Sequence, residues 1–194
     1  MRGKFGQFHL FTPGTLIATD RGWRPVEELC RGDRVVTRDN GLLRVVWTGR
    51  RDLNYSDLGQ VPQLRPMLIR KGAFGPHTPT RDMLVSPYHR FPVLPDADAT
   101  AEAYYAAWHM RQGRGIDAVP VLGVSYLHLL LNAQQAILAD GAWTECFHPD
   151  DLVQSALGAR TRVELLALFP EIATQGAARQ AASPPANVQS RFER

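Results

Sequence analysis

Two cysteines and six histidines are the groups in this chain best suited to nucleophilic, metal-binding or proton-transfer chemistry. Cys30 and Cys146 stand far apart, and neither sits in a CxxC pattern of the zinc or redox kind. The expectation is two unpaired thiols, with Cys30 packed against the fold. A single Cys30–Cys146 bridge stays open as the other reading. Cys146-x-His148, with His77 and His109, has no structural zinc spacing. No metal and no cofactor is therefore expected. His128 alternates with Tyr126 and Leu130, which predicts a histidine satisfied in or near a core. For Ser86 and His89, the plain structural reading is a loop serine and a histidine hydrogen-bonded inside a sheet.

Arginine is the other reactive population. Residues 1–95 carry a net charge of +7 and residues 96–194 a net −4, and 20 of the 22 basic residues are Arg. A basic half invites a phosphate-binding reading. However, Arg21, Arg24, Arg31, Arg34, Arg38, Arg44, Arg50 and Arg51 are interleaved with Glu27, Glu28, Asp33 and Asp39. Interspersed charge of this sort is the composition of a solvated face, and no nucleic-acid motif accompanies it. Nucleic-acid binding is the least favoured function class. The charge split also suggests that the acidic C-terminal segment is drawn weakly onto the basic half.

These groups must be positioned by short elements. The chain has 194 residues, which bounds it to one domain or one domain plus a tail. No apolar run of about 18 residues exists to form a transmembrane helix, and no membrane partner is expected. The polar N-terminus lacks a signal-peptide apolar core. The cytoplasm is the default location, with signal-peptide-independent secretion left open. Thr15–Thr19 reads as a strand stopped by Asp20-Arg21-Gly22. Arg34–Arg38 and Leu42–Thr48 flank Asn40-Gly41, a pair suited to the type I′ turn of a two-residue hairpin. Met67–Arg70, Met83–Ser86, His89–Leu94 and Val124–Leu131 read as further strands, with Pro92 marking an edge or bend. Gln135–Asp140 could pair with Val124–Leu131. Thr100–Gln112 could be a helix or a bulged strand. After Pro149 the texture turns helical, with early acids at Asp150-Asp151 and capping-box spacing at Thr161-Arg162-Val163-Glu164 ahead of Leu165, Leu166 and Leu168. From about Thr174 the composition predicts disorder.

Four blocks then carry a family resemblance. The first is Phe11-Thr12-Pro13-Gly14-Thr15-Leu16-Ile17-Ala18-Thr19, continued by Gly22–Leu29 and Arg31–Thr37. The second is Arg81-Asp82-Met83-Leu84-Val85-Ser86-Pro87-Tyr88-His89-Arg90. The last two are Tyr126–Leu130 and Ile137–Glu145. In this order they resemble bacterial Hint domains, the Hedgehog/intein fold. The resemblance implies a mainly β, horseshoe-like fold of two pseudo-symmetric halves, here with short C-terminal helices. The divisions would be a leader at 1–9, the Hint domain at 10–150, a helical segment at 151–173 and a tail at 174–194.

The family's chemistry is an autocatalytic acyl shift, as in protein splicing and self-cleavage. A Cys or Ser at the first position attacks the carbonyl before it, giving a thioester or ester that a second nucleophile cleaves. The resemblance assigns Ser86 and His89 to the Thr/Ser-x-x-His pair that polarises the scissile amide and protonates its nitrogen. Two positions depart from the pattern. Leu10 stands where the nucleophile belongs, and leucine has no nucleophilic atom. Gln134 stands near a position where many relatives place a His. The reading is a catalytically degenerate Hint domain, now a binding or structural module whose protein partner is unidentified. The alternative is an active self-processing domain whose partner is its own N-terminal peptide. Only nine residues precede Leu10, so little cargo would be released.

Overall fold

The computed structural model describes residues 10–93, 103–111 and 115–146. The expectations for 1–9, 151–173 and 174–194, and for His148, lie outside the described residues. So does the attraction between the acidic C-terminal segment and the basic half.

The described chain is mainly β. Its strands are β1 (Leu16–Thr19), β2 (Gly22–Pro25), β3 (Arg34–Thr37), β4 (Gly41–Asn54), β5 (Met67–Ile69), β6 (Met83–Val85), β7 (Arg90–Val93), β8 (Ala103–Ala106), β9 (Ile116–Ala118), β10 (Gly123–Leu131), β11 (Ala136–Ala139) and β12 (Ala142–Glu145). Seven of them form one sheet in the order β10-β4-β3-β1-β11-β12, with β2 added beside β1 and β3 also touching β11. The remainder form a three-stranded sheet, β6-β5-β9, and a two-stranded ribbon, β7-β8.

Local sequence explains most of these elements. β1 and β2 make a hairpin closed by Asp20-Arg21, with Thr19 paired to Gly22 at φ 93°. The β3–β4 hairpin differs from the expected two-residue turn. Thr37 pairs with Gly41, so three residues form the loop. Gly41 takes the positive φ, 63°, and Thr37 Oγ1 donates to its carbonyl at 2.8 Å. Over the described part of Thr100–Gln112, residues 103–111, the α-helical option is not adopted: β8 pairs with β7, and a short 3₁₀ turn covers Ala107–Met110. β7 lies in a two-stranded ribbon, where Pro92 interrupts no central ladder.

Two findings were not legible locally. β11 pairs with β12, β1 and β3 and not with β10, whose partner is β4 along its whole length. A short helix, α1 (Tyr55–Gln60), follows β4. Its start is a reciprocal cap: the Asp57 N–H donates to Asn54 Oδ1 at 3.0 Å, and the Asn54 N–H donates to Asp57 Oδ2 at 2.9 Å.

Apolar side chains collect in two clusters. The larger contains Phe11, Ile17, Val35, Met67, Val85, Phe91, Leu129 and Ile137 and fills the space between the sheets. The smaller joins Leu10 to Leu53, Leu58, Leu64 and Tyr126. Phe11 is the hinge of the arrangement, because it bridges both Val85 of β6 and Leu127 of β10.

Candidate functional site

The backbone at Leu10–Phe11 is held from two sides. The Phe11 N–H donates to the Leu127 carbonyl at 3.0 Å, and the Leu127 N–H returns a bond to the Phe11 carbonyl at 2.8 Å. The Ser86 N–H donates to the Leu10 carbonyl at 3.0 Å. These bonds fix the entry of the chain into the fold before any side chain acts.

Ser86 and His89 reach this point through a single turn. The His89 N–H donates to the Ser86 carbonyl at 3.0 Å, the i to i+3 bond of a β-turn, and Pro87 at the second position presets the required φ. The turn brings both side chains to Leu10. The Leu10 N–H lies 3.4 Å from Ser86 Oγ, at the outer limit of a hydrogen bond, and the His89 ring feels the Leu10 backbone, which favours its protonated form. Ser86 is 1% exposed and His89 0%. The edge of Phe11 packs on the His89 ring at 4.6 Å between centroids, and Phe91 lies at 5.1 Å.

A third polar group completes the site. His89 Nε2 hydrogen-bonds Thr144 Oγ1, and the Thr144 hydroxyl reaches the Arg90 carbonyl at 3.1 Å. Thr144 is fully buried on β12. Burial drives the His89 pKa down to about 3, with the Leu10 backbone bond opposing the shift. The ring is therefore neutral at physiological pH. A neutral imidazole gives one donor and one acceptor, which suits it to hydrogen-bond a peptide group and to exchange a proton with it.

Gln134 is engaged at the end of β12. Its amide donates to the Glu145 carboxylate, one residue beyond Thr144, and Arg90 Nη1 approaches the other Glu145 oxygen at 3.3 Å. The Glu145 side chain is only 3% exposed, so the Arg90 cation and the Gln134 amide satisfy a carboxylate that would otherwise be costly to bury. Sequence reasoning placed Thr144 and Glu145 on the closing strand but gave them no role. A glutamate inside an apolar strand run was the available signal.

The remaining candidates are placed as follows. His128 is buried beside Trp47, with ring centroids 5.8 Å apart, as expected of a core histidine. Cys146 is buried, but Cys30 is exposed, contrary to expectation, and no disulfide joins them. The Cys30 N–H is tied to Asp33 at 2.9 Å in a tight turn, which leaves the residue on the surface side of the chain. Among the described residues, no three His, Cys, Asp or Glu side chains cluster as a metal site.

A family model described as the Hint domain matches residues 10–151. No curated protein matches the chain. Among solved structures, the chain is similar to a bacterial intein-like domain from Clostridium thermocellum, with 13% identity, TM-score 0.48, and coverage of 72% of this chain and 99% of that one. It is also similar to the MchDnaB-1 intein at 15% identity and TM-score 0.49, covering 71% of this chain and 99% of that one. A DnaB intein from Synechocystis sp. PCC 6803 shares 8% identity at TM-score 0.45, over 71% and 98% of the two chains.

Proposed function

The chain belongs to the Hint domain family, whose members process their own flanking segments, and from that membership we propose that it is a Hint domain without self-processing activity, serving as a binding or structural module. The observation that carries this reading is the side chain at the first position. Leu10 is 3% exposed and packs with Leu53, Leu58, Leu64 and Tyr126. An acyl shift needs a thiolate or an activated hydroxyl attached to that residue. A buried isobutyl group offers neither, and its packing energy makes it a structural member of the fold. Gln134 adds to the argument, since its amide is engaged with Glu145 and carries no titratable proton.

One observation favours the rival, an active self-processing domain. Ser86 Oγ still lies beside the Leu10 N–H, and the neighbouring His89 ring is still held by Thr144. A polarising pair kept in place is what an active domain would need at this peptide. The two readings separate by intact mass. The purified chain, incubated with dithiothreitol or hydroxylamine to intercept any ester or thioester, keeps its full mass if it is inert. A species lacking residues 1–9 contradicts the proposal. Binding to DNA or RNA at low salt, lost steeply as salt rises, would instead support the nucleic-acid reading.

A further inference from the structure

The outer face of the large sheet carries an apolar row that the site does not use. Trp23 pairs with Ala18, and Leu138 pairs with Trp143. Ile17 pairs with Ala139, which sets Ala18 opposite Leu138 in an antiparallel register. The row Trp23–Ala18–Leu138–Trp143 thus crosses four strands on the side away from the core, where Ile17 and Ala139 point inward. Trp23 is 50% exposed at one edge, while Leu138 and Trp143 are half-buried. On the neighbouring pair of strands the same face carries Val36 opposite Leu42, which is 45% exposed, and then Arg34 directly opposite Arg44. Two arginines facing each other across a ladder repel. An exposed apolar row with two facing arginines beside it is the mark of an interaction face.

We propose that this face is covered by the chain's own residues 150–169. Three observations single out that segment. It follows directly on β12, the strand that carries Trp143. Its sequence has the apolar groups the row lacks a partner for, Leu152, Val153 and Leu157, then Leu165, Leu166 and Leu168, at spacings that align them on helical faces. It also carries Asp150, Asp151 and Glu164, the charge that Arg34 and Arg44 call for. Reach is sufficient. Four strands span about 14 Å from first to last at the usual strand spacing, and the extended stretch from Cys146 to Asp150 covers about 14 Å. The inference is independent of whether the domain processes itself.

The test uses the full chain with labelled leucine methyls and tryptophan indoles. Nuclear Overhauser contacts from the Trp23 and Trp143 indoles to Leu165, Leu166 or Leu168 are expected within one molecule. Their absence overturns the proposal. Contacts seen only between differently labelled molecules also overturn it and make a second copy the occupant. The variant Leu165→Asp/Leu166→Asp/Leu168→Asp should shift the indole signals of Trp23 and Trp143 and raise their quenching by acrylamide. The indole of Trp47, buried against His128, should stay in place and report that the β domain is folded. No movement of Trp23 and Trp143 in a folded variant contradicts the proposal.

Discussion

His89 and His128 share a property that sets how the fold responds to acid. Burial holds both rings down to about 3, against an ordinary value near 6.5, with the Arg51 charge adding to the effect at His128. The folded state refuses a proton that the unfolded chain accepts, so stability is unaffected above about pH 6.5 and falls as the pH drops below it. Each histidine contributes a slope of roughly 1.4 kcal/mol per pH unit until its folded pKa is reached. Asp140, pushed up by burial, acts in the opposite sense near the carboxylate range. Urea unfolding at pH 7.5, 6.5 and 5.5 should show this fall, and His128→Phe should reduce its slope by about half. Thr144 faces a related test. Thr144→Val removes the hydroxyl that serves both His89 and the Arg90 carbonyl, and should cost about 1–3 kcal/mol, read by the same unfolding measurement. Ser86, His89 and Leu10 were legible in the sequence because a short motif carries them. Thr144, Arg90 and Glu145 were not, because their roles depend on β12 packing against β7 of another sheet, a contact no local pattern encodes.

The strands and turns position these groups through few bonds. A single β-turn, Ser86 to His89, delivers two side chains to the Leu10 peptide, and Phe11 ties β6 to β10 around it. Phe11 is fully buried and packs on His89, so Phe11→Ala should destabilise the fold by about 3–5 kcal/mol. The check is a thermal melt, which should show a large drop in Tm. Within β4, Gly49 lies under the Trp47 ring, and any Cβ there would overlap it. Gly49→Ala should therefore displace Trp47 and weaken its contact with His128. A loss of protection from hydrogen exchange confined to β4 and β10 would register this. Most strands were readable from β-branched runs and their flanking turns. Their partners were less so. Val124–Leu131 and Gln135–Asp140 are neighbours in sequence, yet β10 joins the fourteen-residue β4 and β11 joins β12. Register along β4 buries Leu127 and Tyr126 as well as His128, a burial on both faces that an alternating pattern does not announce. The β3–β4 loop shows the same limit at finer grain: Asn40-Gly41 marked the hairpin, but Thr37–Gly41 pairing made it a three-residue loop with Gly41 alone at positive φ.

The β domain as a whole presents a Hint fold, and on the proposed function its first position serves packing in place of chemistry. Ser86 Oγ lies beside the Leu10 N–H, while the Leu10 side chain is part of an apolar cluster. The charge split between the two halves of the chain fits the same molecule, because the basic excess falls largely on turns and exposed strand faces such as Arg34 and Arg44. Intact-mass measurement of the unaltered chain beside Leu10→Cys and Leu10→Cys/His89→Ala tests the loss of the nucleophile most directly. The unaltered chain should keep its full mass in dithiothreitol. Leu10→Cys should release residues 1–9 in a thiol-dependent manner, and the added His89→Ala should abolish that release. Self-cleavage of the unaltered chain at Leu10, or a folded Leu10→Cys chain that stays intact, would contradict a site that has lost its nucleophile and kept the rest.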